Sequence, residues 1–132
     1  MVLPSLQRLA SSKFRASFSL KGKDLVYAQV KGREVLRRHA LDFIRARLAP
    51  AHPERDGKQT PYRGHPVFTA QHATAACCRS CLSKWYKIPQ GRALTDFEME
   101  KIADILMQWV EMQIEKPARP VSRNRSRLSG KR

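Results

Sequence analysis

Residues 95–115 constrain the fold more than any other stretch. Thr95 and Glu98 stand at capping-box spacing, and Asp96 puts a negative charge where a helix start is positive. Ile102, Ile105, Leu106, Trp109 and Met112 then form an apolar stripe at three-and-four spacing. Lys101, Asp104, Gln108, Glu111 and Glu115 form the opposing polar stripe, and Pro117 ends the pattern. The spacing predicts a five-turn helix in a mainly α fold. Arg33 to Leu48 reads as a second helix, with Leu36, Ala40 and Phe43 on one side and His39 at the edge of that stripe. Asp24 to Val30 suits a short helix stopped at Gly32, and Cys77 to Lys87 suits another, with Leu82 and Trp85 three apart. Val67 to Ala76 is ambiguous: Val67, Phe68 and Thr69 favour a strand, while Ala70 to Ala76 favour a helix.

The chain has 132 residues, room for one small domain, and 42% hydrophobic content supplies one modest core. It holds no apolar run near the ~18 residues of a membrane span, so no membrane role is expected. The net charge of +15 is unevenly spread. Residues 1–23 carry five cations and no anion, residues 116–132 carry seven cations and no anion, and all eleven acidic residues lie in 24–115. The expected organisation is a basic N-terminal arm (1–23, loosely ordered), a helical domain (24–115) and a disordered basic C-terminal tail (116–132). Residues 49–66 contain four prolines and two glycines and form a long loop. Its length and the presence of Tyr62 and His65 mark it as functional.

Cys77, Cys78 and Cys81 fall within five residues, an odd number at local spacing that makes no disulfide framework. With no secretory signal in residues 1–20, the expected compartment is a reducing cytoplasm. Zinc takes four ligands of this kind, and Cys78 and Cys81 have the two-residue gap that lets two thiolates reach one ion. His65 and His72 complete a Cys2His2 set; Cys77 and Cys81 are an alternative thiolate pair on one helical face. Two other readings compete. The cysteines can be small core residues beneath Trp85. A Cys near Arg79 at a helix start can also be a reactive thiol, with His72 as a base.

The tail residues Arg119, Arg123, Arg125, Arg127, Lys131 and Arg132 suit nonspecific nucleic-acid contact, because planar guanidinium forks match phosphate and displace counterions. Trp85 and Tyr86 lie between Lys84 and Lys87, an arrangement that can stack bases. Helical spacing instead favours Trp85 and Trp109 in the core, with Tyr86 facing outward. His52, in a Pro-rich loop, is expected to be solvated.

Several strings together carry a resemblance: Lys58-Gln59-Thr60-Pro61, Arg63-Gly64-His65-Pro66-Val67-Phe68, Ala70-Gln71-His72-Ala73-Thr74, Cys77-Cys78-Arg79 with Cys81-Leu82, Lys84-Trp85 and Ile88-Pro89. Over roughly residues 22–112 the chain resembles the bacterial and phage family called domain of unknown function 4186. The resemblance implies a cytoplasmic protein often carried on mobile elements, with no established activity, substrate or cofactor. Members of that family tend to carry His after the Trp, where this chain has Tyr86, so a metal set using that His would be one ligand short here. Both flanks lie outside the family pattern. The favoured reading is a small, zinc-stabilised, nucleic-acid-associated protein. The alternatives are a hydrolytic or thiol-dependent enzyme centred on His65, His72, Cys78 and Cys81, and a protein-interaction module using the apolar face of a helix.

Overall fold

The computed structural model describes residues 1–115. Six helices and one π-helical turn make a single small domain, with no strand among the described residues. The tail, its expected disorder and its six candidate nucleic-acid residues lie outside the described residues.

Helix α6 (Asp96–Glu115) forms as its sequence predicts. Thr95 Oγ1 accepts from the Glu98 N–H at 3.1 Å, and Glu98 Oε1 accepts from the Thr95 N–H at 3.0 Å. Arg92 adds two hydrogen bonds to the same carboxylate, at 2.8 and 2.7 Å. These, ahead of the opposing effect of burial, hold the Glu98 carboxyl down to about 2. The buried face is wider than the predicted stripe. Met99, Ala103, Met107 and Val110 join Ile102, Ile105, Leu106 and Trp109, whereas Met112 is 40% exposed.

Helix α3 (Gly22–Phe43) packs along α6. Gly32 breaks it with φ +82° and ψ 168°, so it is two helical pieces meeting where the sequence predicts. Buried Ala28, Leu36 and Ala40 let it lie against α6, while Arg37–Asp104 and Arg33–Glu111, each at 2.9 Å, stitch the outer edge. A π turn (Ile44–Leu48) completes the helical stretch, the Ala49 N–H donating to Ile44 O at 2.8 Å.

Of the ambiguous Val67 to Ala76, residues 67–73 are helical, within α4 (Pro66–Ala73), and Thr74 to Ala76 turn the chain instead of extending the helix. Pro66 occupies the first turn, where its missing N–H costs nothing. All eight α4 residues are buried. A helix buried all round shows no polar-to-apolar period, which is why its sequence looked strand-like. Helix α5 (Arg79–Tyr86) follows a tight reversal in which fully buried Ala75 adopts φ +60°. Two bonds bracket the reversal: Gln71 Nε2 donates to Ala76 O at 3.0 Å, and the Ala76 N–H donates to Gln71 O at 2.8 Å.

Residues 1–20 are not a loose arm. They form α1 (Leu6–Ala10) and α2 (Lys13–Ala16), each capped by a serine: Ser5 Oγ accepts from the Arg8 N–H and Ser12 Oγ from the Arg15 N–H. Leu9 and Leu20 are buried in the common core. Helices of five and four residues are too short to display a period, so burial there is invisible to pattern reading. Tyr86 does not face outward, and Trp85 packs against the edge of the core rather than inside it. Tyr86 is fully buried and donates to Thr74 O at 2.8 Å, while Trp85 is half-buried beneath the Arg8 guanidinium. Leu82 and Tyr86, four apart, set the inward face of α5. Among the described residues no helix is long and apolar enough to cross a membrane.

Candidate metal centre

The reversal between α4 and α5 brings three sulfurs together. The Sγ atoms of Cys77, Cys78 and Cys81 all lie within 4.8 Å of one another. Cys77 and Cys78 are buried and Cys81 is half-buried, with a Cys77–Cys81 separation of 3.7 Å. Cys78 is the N-cap of α5, and Ser80 Oγ stands 3.3 Å from its sulfur. Hydrogen bonds from Cys77 and Cys81, with the helix start behind them, hold the Cys78 thiol well below its ordinary range. The Cys77 thiol is pushed up by its hydrogen bonding within the cluster and by burial.

A cation closes the cluster from the opposite end of the sequence. Arg15 Nη2 donates to Cys81 Sγ at 3.1 Å, and Nη1 donates to Cys77 Sγ at 3.5 Å and to His72 O at 2.7 Å. Burial opposes charge on Arg15, but the two sulfurs outweigh it and its pKa is raised. Thr60 Oγ1 donates to Cys77 O at 2.8 Å, tying the long loop to the same corner.

Of the four residues expected as metal ligands, Cys78 and Cys81 are in the cluster, joined there by Cys77. Neither His65 nor His72 is part of it. His72 is buried, with Nε2 3.0 Å from Thr60 O and 3.2 Å from Pro61 O. Carbonyls only accept, so Nε2 carries the proton. Burial, against the pull of those carbonyls, keeps His72 below the ordinary imidazole value. Its ring stacks on Tyr62 at 3.9 Å between centroids, 7° from parallel. His65 has two other duties. Its Nδ1 accepts from the Val67 N–H at 3.0 Å, capping α4, and its Nε2 lies 2.9 Å from His39 Nδ1. With Nδ1 accepting, Nε2–H must donate to His39. Burial first, and His39 second, push His65 down to about 4.

A second arginine anchors the floor. Arg79 is 1% exposed and donates to the carbonyls of Pro50, Pro89 and Arg92, each at 2.9 Å, and of Leu48 at 3.4 Å. Its own N–H donates to Asp56 Oδ1 at 3.3 Å. The start of the loop, the turn before α6 and the start of α5 are thus fastened to one guanidinium. Sequence reasoning missed both arginines in these roles. Arg79 had a signal, its position inside the Cys-Cys-Arg-Ser-Cys run. Arg15 had none, because its partners are more than fifty residues away.

The donor set suits a thiophilic ion. A zinc–sulfur bond of ~2.3 Å in a tetrahedron implies sulfurs about 3.8 Å apart, and Cys77 and Cys81 are at 3.7 Å. Three thiolates around a dication leave one net negative charge, which the Arg15 guanidinium offsets. The cluster can therefore hold a metal ion.

A family model described as "Domain of unknown function (DUF4186)" matches residues 4–111. The match takes in residues 4–21, which the resemblance read from motifs had left out, and with them Arg15. No solved structure matches the chain.

Proposed function

That this chain belongs to the DUF4186 family is the premise from which we propose a small metal-binding protein that associates with nucleic acid. Cys77, Cys78 and Cys81 would hold a zinc-class ion, which in such a site supplies folding energy by cross-linking the reversal between α4 and α5. The observation that carries this reading is three sulfurs gathered within 4.8 Å beneath a buried guanidinium. A reducing compartment goes with it, since three thiols this close would otherwise oxidise. Nucleic-acid association draws its support from the charge: +15 overall, with seven cations and no anion in residues 116–132.

Elemental analysis of reduced protein purified without added zinc tests the metal. About one equivalent is expected, lost in Cys81→Ser and on chelation, with a lower Tm in both cases. Folded, reduced protein holding well under one equivalent of any thiophilic metal would overturn it. The low Cys78 thiol supports the thiol-enzyme reading instead if metal-free protein alkylates there within seconds at neutral pH.

A further inference from the structure

The groove beside the metal centre carries a separate inference. It has a volume of about 730 Å³ and runs along the π turn and the long loop from Ala46 to Pro61. Arg47, Arg55, Lys58 and His52 line it, against a single carboxylate, Glu54. None of Arg47, Arg55 and Lys58 is in an ion pair with a described residue. Arg47 is held over the rings of Phe43 and Phe68, at 5.2 and 5.1 Å. The neighbouring Asp56 is exposed, but its Oδ1 is engaged, accepting from Gln59 Nε2 and the Arg79 N–H.

The groove ends where an aromatic platform begins. Tyr62 follows Pro61 and is 60% exposed. One face of its ring rests on His72, and the Phe18 ring lies nearly parallel to it with centroids 6.2 Å apart. His72 is fixed in turn by the carbonyls of Thr60 and Pro61. The loop is also braced from within, the Gly57 N–H donating to Gln59 Oε1 at 2.7 Å. Cations outside any ion pair with described residues, next to a flat, fixed, largely exposed ring, make up the surface that single strands use: backbone phosphates track the charges while an unpaired base stacks. An acidic protein would use the charges and leave the ring idle. A duplex offers no unpaired base to it.

We propose that the groove along residues 46–62 binds single-stranded nucleic acid, with phosphates on Arg47, Arg55 and Lys58 and a base on Tyr62. The inference deepens the nucleic-acid part of the proposed function and rests on it. It is independent of the metal.

Fluorescence-anisotropy titrations of the full chain with a short labelled single strand and the matching duplex, at several salt concentrations, test it. The variant Arg47→Gln/Arg55→Asn/Lys58→Gln uses Asn at position 55 because φ there is +57° and Asn tolerates that conformation. It should flatten the log–log salt slope for the single strand by about two units, three phosphate contacts being lost. Tyr62→Ser should weaken single-strand binding about tenfold and leave the duplex unchanged, with Tyr62→Phe restoring the loss. If Tyr62→Ser disturbs His72 and lowers the Tm, the charge variant and Tyr62→Phe still decide. Wild-type affinity and slope in the charge variant would overturn the inference while leaving the tail reading in place. Equal losses for single strand and duplex in Tyr62→Ser would overturn it too. A full chain that binds neither oligonucleotide would remove both this inference and the nucleic-acid part of the proposed function.

Discussion

Along α3 and α6 the buried side chains are Ala, Leu, Ile, Met, Val and Trp, with Glu98 the one exception, and the Arg33–Glu111 and Arg37–Asp104 pairs ride at the edge. At the cysteine corner the buried set includes Arg15, Gln71, His72, Thr74 and Arg79. The first region excludes water from groups that need nothing from it. The second buries polar groups that each require a partner, and the partners come from residues 15, 48–61, 72–77 and 89–92. Apolar packing degrades gradually when one atom is removed, but a buried polar network loses several satisfied groups together. The two regions should therefore respond very differently to substitutions of similar size.

The largest difference is expected at Arg79. Arg79→Ala removes four hydrogen bonds to carbonyls from two segments, one of them buried and three part-buried, and empties the space of a side chain only 1% exposed, so a loss of about 3 kcal/mol is expected. Arg79→Lys should recover little, because an ammonium has three donors and no planar fork. Urea denaturation of the three proteins checks this. A loss below about 1 kcal/mol in Arg79→Ala would mean the corner is as forgiving as a surface site.

The next effect is on pH. His65 titrates at about 4 in the fold, against an ordinary value of 6.5. Between these values the unfolded chain binds more protons than the native one, so stability rises with pH across the window. It is complete above about 6.5 and drains as pH falls toward 4. With His65 only half-buried, the swing attributable to it is discounted to about 2 kcal/mol. His72 is lowered as well and adds in the same direction. His65→Asn keeps a capping acceptor for Val67 and removes the titration, so its stability profile between pH 4 and 6.5 should be flatter but not level. An unchanged slope in that variant would remove His65 from the account.

The same contrast explains how much the sequence disclosed. Helix α6 and the break at Gly32 were legible because capping, periodicity and glycine are local signals. Helix α4 was not, since burial on every side erases the period that would reveal it. Tyr86 was hidden because Leu82 pairs on one helical face with the residue three away and equally with the residue four away, and the second is the more deeply buried. The metal cluster was half legible. Sulfur spacing identified Cys78 and Cys81, but His65 and His72 were nominated by proximity in sequence. Their ring nitrogens proved committed to Val67, His39 and backbone carbonyls. No sequence rule links residue 15 to residue 81, so Arg15 could be found only in three dimensions.

The smallest effects belong to the α3–α6 side and sharpen the comparison from below. Thr95→Ala removes the acceptor for the Glu98 N–H and frees half of the capping box, at a cost of about 1 kcal/mol. The cost stays that low because Glu98 keeps its two bonds from Arg92 and its bond from the Thr95 N–H, which Ala also supplies. Arg37→Ala breaks the 2.9 Å pair with Asp104, whose carboxylate is 41% exposed and simply returns to water. Double-mutant cycles with Asp104→Ala should give a coupling below about 0.5 kcal/mol, falling further in high salt. The order Arg79, Thr95, Arg37 thus follows how completely each leftover partner is cut off from water. Equal losses at Arg37 and Arg79 would show that the α3–α6 edge is as tightly coupled as the cysteine corner.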